Sequence, residues 1–541
     1  MYSNKKVSIH LRFTCLLLLH VTYVDGATAN LNYENKFQTI EGFGGGFSFR
    51  KYPWFHPKKE ELYDSIFNAA RINIVRIGNY YYQETTENRQ IETPMMLEIQ
   101  HRWPEVKTIL TSWTPPPFLK SNNSVVGGNE HNDTGTISKN GDGLYMYDEY
   151  AYYWMKAVQY FSSNGMKIDW VSIQNEPDCA AWYEGCVLEP YETPTAASYG
   201  KALDAVFTTF REFLPNPPPL IGPDVVGIYD NQYTRYLNST DVNRNQLVAY
   251  SHHLYNYSGP EWMALPPQQF PDKPIYQTEF LINEGEAGRT WFDHAVFIHN
   301  SLVVENVSMY CIFALTYKPA STHCFFSLDT TGSDWYETRP TYYMFKHFSR
   351  SIRRGWRRCE ITVDDPALLV SAFCNTYNDS TAIVILNTST SRNTVTVNVP
   401  GKKGEYFQTG KTDNYVFKGT VQDKVIIEGE GRSITTIELH NDYSSTRRSL
   451  VHKVPRSIQI STITGNLTEG VTVHYSIPRH QPATLSLTDL HGNILATRSH
   501  TGLNQMEDLS CHFNQKFAHG NYIFILKSGP EIKSRIFTIT D

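Results

Sequence analysis

The sequence has few charged residues and no strong excess of either sign. Charged side chains make up 19% of the 541 residues, and the formal net charge at pH 7 is -6. A protein that binds nucleic acid needs a basic face that displaces phosphate counterions. The only dense basic run, residues 350–358, lies at a predicted domain junction, where we expect solvated or paired arginines. No nucleic-acid partner is therefore expected.

Long apolar runs are missing beyond the N-terminus. Basic residues precede an apolar stretch at residues 13–19, and small residues follow it, which is typical of an export signal. We predict a signal peptide over residues 1–29, a mature chain that begins between Ala27 and Asn30, and a secreted protein. No later run approaches the roughly 20 apolar residues that span a bilayer, so no membrane span is expected.

Cysteine is scarce, with eight residues in the chain, and Cys15 falls in the predicted signal. The spacing of the others does not resemble a zinc site. In an exported protein, closely spaced cysteines are candidates for disulfides. The candidate pairs are Cys179 with Cys186, Cys311 with Cys324, and Cys359 with Cys374, which leaves Cys511 over.

No glycine-rich nucleotide loop follows any predicted strand, which argues against a doubly wound sheet. Instead, eight short β-rich runs alternate with helix-like segments, a pattern that favours a (β/α)8 barrel. We place this barrel at residues 30–345. Its predicted strands are residues 39–43, 73–77, 108–113, 169–174, 220–223, 249–253, 274–278 and 308–315.

A chain of 541 residues exceeds what one hydrophobic core sustains, so further domains are expected. After residue 343, short alternating strands replace the helices and predict a β-sandwich at residues 346–445. A third unit, at residues 446–541, is also predicted to be all-β. The predicted fold class is therefore α/β, a TIM barrel with an attached β-sandwich and an additional C-terminal all-β module.

Two glutamates stand at the ends of predicted barrel strands. A buried apolar run ends at Glu176, before a proline, and a second run ends at Glu279. In a barrel, catalytic residues project from the C-terminal strand ends, and two carboxyl groups facing one cavity are the minimum for glycoside hydrolysis. Either glutamate alone is more often a surface or salt-bridged residue. Together, on the fourth and seventh strands, they predict a glycosidase.

Six motifs in order resemble glycoside hydrolase family 30, a barrel joined to a β-sandwich, over roughly residues 30–440. They are Gln38-Thr39-Ile40-Glu41-Gly42-Phe43-Gly44-Gly45, Trp113-Thr114-Pro115-Pro116-Pro117-Phe118-Leu119-Lys120, Ser172-Ile173-Gln174-Asn175-Glu176-Pro177-Asp178, His253-Leu254-Tyr255, Gln277-Thr278-Glu279 and His347-Phe348-Ser349-Arg350. The family belongs to a larger clan whose acid/base and nucleophile lie on strands four and seven.

The resemblance implies that Glu176 is the general acid/base and Glu279 the nucleophile of a retaining pair. Such carboxyl groups stand about 5 to 5.5 Å apart. Asn175 resembles the asparagine that binds the sugar 2-hydroxyl, with capping of the strand end as the alternative. Arg76 matches an arginine that keeps the nucleophile ionised, and a structural ion pair is compatible with that role.

Aromatic residues near this pair match sugar-binding positions of the family. Trp113 and Tyr255 are expected to wall the subsite next to the cleaved bond, with core packing as the alternative for Trp113. His253 is expected to bind the sugar or the nucleophile, or to have a structural role. Trp182, with Tyr183, is a candidate platform for the leaving group, although surface aromatics in a disulfide-closed loop give the same pattern.

The eighth strand departs from the family pattern. Phe313 stands where a tryptophan is usual, and its smaller ring lacks the indole N–H, so affinity or substrate choice is expected to differ. The following loop also lacks an evident arginine to bind a glucuronate side chain, which weakens the prediction of glucuronoxylan specificity.

The C-terminal unit has a resemblance of its own. Asp489-Leu490-His491-Gly492 and Gly520-Asn521-Tyr522-Ile523 are similar to sorting modules of type IX secretion. The usual basic terminal residue is missing, and a spacer or a carbohydrate-binding module is an equal alternative.

The sequence as a whole predicts a monomeric, retaining endo-acting hydrolase of a β-linked polysaccharide, with xylan as the leading substrate. A β-1,6-glucanase, a β-1,6-galactanase or a glucosylceramidase would use the same glutamates, because only the subsites differ. A non-catalytic sugar-binding protein is the alternative from another class. No metal or organic cofactor is expected, since the carboxylates suffice for proton transfer and covalent catalysis.

Overall fold

The structure of the protein is a computed structural model. It describes residues 26–47, 52–79, 87–128, 134–255, 260–282, 285 and 288–441, and in the C-terminal unit residues 459–466, 470–477, 482–490, 492–500, 507–514, 517–528 and 531–539. The predicted signal peptide lies almost entirely outside these residues. The chain divides into two compact units, residues 1–442 and 443–541.

Eight parallel strands form a closed barrel, which confirms the predicted fold class. The strand that precedes them, β1, spans Ala27–Thr39 and belongs elsewhere. In chain order the barrel strands are β2 (Gly42–Gly46), β3 (Ile74–Gly78), β4 (Lys107–Thr111), β5 (Trp170–Ser172), β6 (Leu220–Val225), β7 (Leu247–His253), β8 (Ile275–Glu279) and β9 (Val307–Ile312).

The first barrel strand begins later than the sequence predicts. The expected strand at residues 39–43 is replaced by β2, which is rich in glycine. A Cβ atom at Gly44 would lie 2.3 Å from the backbone oxygen of Ile74 on the neighbouring strand. The close approach of β2 and β3 therefore requires glycine at this position.

The barrel interior is apolar toward the N-terminal ends of its strands. Side chains alternate along a strand, so the residue two positions after an interior residue also points inward. Ile74 is part of the interior cluster, and Arg76 on the same strand therefore faces the cavity. The interior cluster comprises Ile74, Ile109, Trp170, Ile221, Ala249, Tyr276, Met309 and Cys311.

Helices cover the outside of the barrel. Among them, the helix before the last barrel strand begins with a capping box: Thr290 Oγ1 accepts from the Phe292 N–H, and Asp293 accepts from the Thr290 N–H at 2.7 Å. The α-helices are α1 (Tyr52–Phe55), α2 (Lys59–Tyr63), α3 (Glu87–Arg102), α4 (Tyr147–Ser163), α5 (Tyr199–Phe213), α6 (Gln232–Leu237), α7 (Pro260–Met263), α8 (Leu265–Gln269), α9 (Trp291–Val303) and α10 (Pro340–Ser349). A π-helix spans Asp64–Ala69, and 3-10 turns span Pro117–Leu119, Tyr229–Asn231 and Arg244–Gln246.

A small sheet of β10 (Ala314–Tyr317), β11 (Cys324–Leu328) and β12 (Tyr336–Thr338) follows the last barrel strand.

A second sheet of seven strands combines both ends of the first unit. β1 pairs with β13 along most of its length, and Ala27, Thr28 and Ala29 also pair with β16. The predicted barrel boundary at residue 30 is therefore displaced, since residues 30–39 belong to this sheet. The later strands are β13 (Arg357–Val363), β14 (Leu368–Cys374), β15 (Ser380–Asn387), β16 (Asn393–Thr409), β17 (Val416–Gly429) and β18 (Ser433–Asn441).

Only one predicted disulfide is present among the described cysteines, Cys359–Cys374, which joins β13 to β14. The predicted pairs Cys179–Cys186 and Cys311–Cys324 are wrong, and Cys511 also forms no disulfide. Cys311 belongs to the closed barrel interior, whereas Cys324 lies on β11 near the hydroxyl of Ser327. Cys186 is fully buried, whereas Cys179 is partly exposed beside the end of β5. The short spacing of each pair along the chain therefore did not predict that its two cysteines lie in different surroundings.

The C-terminal unit consists of two antiparallel sheets around its own apolar core, as the all-β prediction requires. One sheet contains β19 (Gln459–Asn466), β20 (Gly470–Ile477) and β23 (Glu507–Phe513). The other contains β21 (Ala483–Thr488), β22 (Ile494–His500), β24 (Gly520–Ser528) and β25 (Glu531–Ile539). Among the helices that the structure describes, none has the length and apolarity to cross a membrane.

Candidate active site

Glu176 and Glu279 meet at the C-terminal end of the barrel. Glu279 is the last residue of β8, and Glu176 follows β5. Both are nearly buried, with Glu176 4% exposed and Glu279 5% exposed. A carboxylate oxygen of Glu176, one of Glu279 and a ring nitrogen of His253 all lie within 4.8 Å of one another. The predicted pair is therefore brought together in one narrow, mostly buried site.

The backbone at Glu176 has an unusual conformation. Its φ of 47° lies in the left-handed region, which disfavours residues other than glycine. Two neighbours hold this turn, since the Glu176 N–H donates to Asp224 O at 3.0 Å and the Asn175 N–H donates to Ser112 O at 2.8 Å. The turn directs the carboxyl group of Glu176 toward Glu279.

The guanidinium of Arg76 connects the two halves of the site. It forms an ion pair with Glu279 Oε2, and its second nitrogen donates to Asn175 Oδ1 at 2.7 Å and to Asp224 Oδ2 at 3.3 Å. Burial alone would lower the pKa of Arg76, but the charges of Glu279 and Asp224 outweigh it and raise that pKa. Arg76 is therefore a fixed positive charge that faces the candidate nucleophile.

Glu176 is held from two sides by other side chains. His253 Nδ1 lies 3.0 Å from Glu176 Oε1, and the Tyr183 hydroxyl donates to Glu176 Oε2 at 2.9 Å. Burial alone would lower the pKa of His253, but the charge of Glu279 and the contact with Glu176 raise it. Burial and the charge of Glu176 raise the pKa of Tyr183, so its phenol remains a donor.

Glu279 has a donor besides Arg76. The Tyr255 hydroxyl donates to Glu279 Oε1 at 2.8 Å, and burial together with that carboxylate raises the pKa of Tyr255. Trp113 is 5% exposed, and its ring centroid lies 4.8 Å from the guanidinium carbon of Arg76. The Tyr255 phenol therefore lies beside the candidate nucleophile, and the Trp113 ring lies beside the arginine that pairs with that nucleophile.

Two other predicted residues lie at the margin of this constellation. Trp182 is 83% exposed and contacts the Tyr183 ring at a centroid distance of 5.5 Å. Phe313 is half-buried between β9 and β10, and its N–H donates to the backbone oxygen of Phe280, the residue after Glu279. Neither side chain has a described contact with the two carboxylates.

The spacing of Glu176, His253 and Glu279 would also suit a metal ion, since one possible ligand atom from each lies within 4.8 Å of the others. Arg76 opposes this use, because its buried guanidinium is in direct contact with Glu279 and repels a cation. The donor set fits acid–base and nucleophilic chemistry better than metal coordination.

Comparisons with known proteins identify the fold. No protein-family model and no curated protein matches the sequence. Among solved structures, the family 30 subfamily 8 xylanase Xyn30A of Clostridium acetobutylicum matches with a TM-score of 0.61 and 22% identity, over 76% of this chain and 99% of the xylanase. The chain has the fold of glycoside hydrolase family 30.

Two further structures have this family 30 fold. The catalytic domain of xylanase C from Talaromyces cellulolyticus matches with a TM-score of 0.62 and 18% identity, over 76% of this chain and all of that domain. The endo-β-1,6-glucanase BT3312 matches with a TM-score of 0.59 and 18% identity, over 77% of this chain and 94% of that enzyme. The resemblance stated from sequence motifs is thus confirmed in the fold.

The site of this chain also contains Asp224, which no sequence motif indicated. It is fully buried, and it accepts from Ser172 Oγ and Thr278 Oγ1, each at 2.6 Å. Burial alone would raise the pKa of Asp224, but Arg76 and His253 hold it below its ordinary value. The sequence could have indicated Asp224 by its position near the C-terminal end of the fifth barrel strand, because functional residues of such barrels lie at the C-terminal strand ends.

Proposed function

We propose that this chain is a retaining O-glycoside hydrolase of family 30 that cuts a β-linked polysaccharide. The approach of the Glu176 and Glu279 carboxylates to within 4.8 Å supports this proposal. A retaining enzyme needs its two carboxyl groups about 5 Å apart, whereas an inverting enzyme leaves room for a water molecule between them. The short separation favours direct attack by one of the carboxylates.

In the first half of the proposed reaction, Glu279 attacks the anomeric carbon and Glu176 donates its proton to the leaving oxygen. Glu279 suits the nucleophilic role because Arg76 and Tyr255 both interact with its oxygens, which orients the anion. Asn175, held by Arg76, is in place to bind the neighbouring hydroxyl of the sugar. The product of this step is a covalent glycosyl-enzyme.

In the second half, Glu176 takes a proton from water, which attacks the same carbon and releases Glu279. The same carboxyl group thus acts first as an acid and then as a base. His253 and Tyr183 contact opposite oxygens of Glu176 and fix its orientation through both steps. The stereochemistry of the sugar is retained because the carbon is inverted twice.

Xylan is the leading substrate of this proposal. The sequence motifs around Glu176 and Glu279 are most similar to the xylanase-like branch, and two of the three solved structures above are described as xylanases. The third is described as an endo-β-1,6-glucanase, so β-1,6-glucan is the second candidate. We further propose that the enzyme is secreted and acts as a monomer.

Reducing-sugar release from xylan, pustulan, β-1,6-galactan and glucosylceramide tests the activity. We expect release from xylan, and a loss of at least about a thousandfold in both Glu176→Gln and Glu279→Gln. Glu212→Gln, an exposed change on α5, is the matched control and should retain full activity. If no substrate releases reducing sugar but the protein still binds sugar, the result would instead support a non-catalytic binding protein.

The retaining mechanism has its own test. An activated 2-fluoro-glycoside of the preferred sugar should form a stable ester on Glu279, which peptide mass spectrometry locates. Early proton NMR spectra of the product should show the β-anomer. Initial release of the α-anomer would contradict the proposed double displacement.

A further inference from the structure

A second cleft lies away from the two carboxylates, where the seven-stranded sheet meets the barrel. It encloses about 700 Å³. Arg71 precedes β3, so this cleft lies near the N-terminal strand ends, whereas Glu176 and Glu279 lie at the C-terminal ends. Arg350 and Arg353, which follow α10, also line it. The cleft is therefore separate from the candidate active site.

Positive charge is concentrated in this cleft beyond what its carboxylates balance. Burial and the neighbouring charges of Arg353 and Arg350 lower the pKa of Arg71. Burial and the charge of Arg350 likewise lower the pKa of Lys346 on the adjacent helix. Two carboxylates line the cleft with these cations, the partly buried Glu438 and the exposed Glu405. Like charges held this close destabilise the free protein, and an anion would relieve the repulsion.

Part of the hydrogen-bonding capacity in the cleft is unused. Within the described residues, Arg350 Nε is buried without a hydrogen bond, and Oε1 of Glu438 stands 3.9 Å from it. That oxygen already accepts from Ser351 Oγ at 2.7 Å. The guanidinium of Arg353 is exposed and has no hydrogen bond to any described residue. The Arg353 guanidinium is therefore available to a ligand that brings its own oxygens.

The other arginines of the same basic run behave differently. Arg354 Nε donates to the backbone oxygen of Glu41 at 2.8 Å, and Arg358 donates to Gln38 Oε1 and Asn306 Oδ1. The expectation of paired arginines therefore holds for Arg354 and Arg358. Arg350 is paired more loosely, since its Nε lies 3.9 Å from Glu438 Oε1 and its Nη1 donates to Ala69 O at 3.3 Å, and the exposed Arg353 is solvated.

The backbone at Arg71 is strained in addition. Its φ of 55° is left-handed, a conformation that a long side chain adopts at an energetic cost. The π-helix ends two residues earlier, at Ala69, and its C-cap bond runs from the Ala70 N–H to Ser65 O. Glycine or asparagine would relieve this strain. The chain instead places a guanidinium there, and that side chain lines the cleft.

We propose that this cleft is a second binding site, for a carboxylate-bearing oligosaccharide. Arg71, Arg350 and Arg353 would hold the carboxylates, because guanidinium groups bind them with paired hydrogen bonds. The partly exposed Trp356 ring also lines the cleft, and aromatic rings of this kind stack on sugar faces. The anion site goes beyond the proposed hydrolase function, and only the choice of a saccharide rests on it.

Calorimetric titration of the full chain with tetragalacturonate tests this site. Its fully methyl-esterified form and inorganic phosphate serve as the neutral and the non-saccharide probes. We expect tetragalacturonate to bind best, and both Arg353→Gln and Arg71→Asn to weaken it about tenfold. Asparagine tolerates the left-handed backbone at residue 71, so this variant removes the charge without adding strain. Arg392→Gln, an exposed change just before β16, is the matched control.

Each outcome distinguishes this site from the catalytic one. If the arginine variants bind tetragalacturonate as tightly as the parent protein, or if nothing binds, the proposal is wrong. Equal affinity for phosphate would overturn the saccharide assignment, and equal affinity for the methyl ester would overturn the role of the arginines. The titration needs no hydrolysis, so failure of the proposed catalytic function would leave its result interpretable.

Discussion

At the residue scale, one guanidinium contacts three acceptors at the C-terminal end of the barrel. Arg76 is 2% exposed and interacts with Glu279, Asn175 and Asp224 at once. A lysine ammonium carries the same charge but lacks the planar fork that reaches several acceptors in fixed directions. The geometry of the carboxylate pair therefore depends on arginine and not on positive charge alone.

We predict that Arg76→Lys lowers kcat/KM by about a hundredfold, since small displacements of catalytic groups cost that much. The measurement is steady-state kinetics on the substrate that the parent enzyme prefers. Arg102→Lys, at a surface ion pair with Glu98, is the control and should change neither kinetics nor folding. Unchanged kcat/KM in Arg76→Lys would show that a positive charge alone is sufficient.

His253 makes a second prediction at this scale. The pKa of His253 is raised in the folded protein, so protonation of His253 adds to the free energy of unfolding. This contribution is complete when the pH is below the ordinary pKa of histidine, near 6.5. That contribution is lost as the pH rises through the raised pKa. The difference in melting temperature between the parent and His253→Asn should thus shrink between pH 6 and pH 9. A difference that stays constant across this range would contradict the assignment.

The sequence predicted individual residues where a motif joined position with chemistry. Glu176 and Glu279 are glutamates at strand ends, and both reach the site. Asp224 was missed because it follows a glycine and a proline, without a motif that separates it from an ordinary turn. The hydroxyl of Tyr183 contacts Glu176, which spacing along the chain cannot show because it depends on the turn of the intervening loop.

At the element scale, α9 places two buried histidines against the barrel. His294 Nε2 lies 3.2 Å from the Tyr310 hydroxyl, and burial lowers the pKa of His294 to about 3. Burial and the charge of Arg358 lower the pKa of His299 to about 3 as well. Both imidazoles must therefore remain neutral for this helix to pack.

We predict that these histidines make the fold sensitive to acid. The unfolded chain binds protons near pH 6.5 while the folded one does not, so stability is complete above that pH and falls below it. As the pH falls from 6 to 4, each histidine should lower the equilibrium constant for folding by about tenfold per pH unit. Urea unfolding of His299→Leu should show a shallower dependence on pH than the parent. His101→Gln, an exposed change on α3, is the control, and equal slopes for His299→Leu and the parent would refute the prediction.

The sequence predicted which segments form strands more reliably than it predicted which segments or cysteines pair with one another. Seven of the predicted barrel runs overlap their observed strands closely, because parallel barrel strands are short and apolar. The first run failed because β1 and β2 lie only a few residues apart, and the boundary between two sheets has no composition signal. The two wrong disulfides failed for a related reason, since proximity in sequence does not set the direction of a side chain.

At the scale of the whole molecule, the two compact units have separate apolar cores. We predict that a chain ending at residue 442 keeps the melting temperature and the activity of the first unit, since its sheets are complete without the remainder. A chain beginning at residue 40 should not fold, because it lacks β1. Calorimetry of both truncated chains checks this. Cooperative unfolding of the chain without β1 would contradict the second expectation.

The pairing of β1 with β13 has a consequence during synthesis. Asn32 donates to Glu360 across 328 positions of sequence. At about 5 to 20 residues per second, a ribosome needs roughly 15 to 65 seconds to deliver the partner strand. During that interval β1 is an unpaired edge with exposed backbone donors and acceptors, the kind of segment that aggregates or recruits a chaperone. The seven-stranded sheet, although it contains the first described strand, is therefore among the last parts of this unit to be completed.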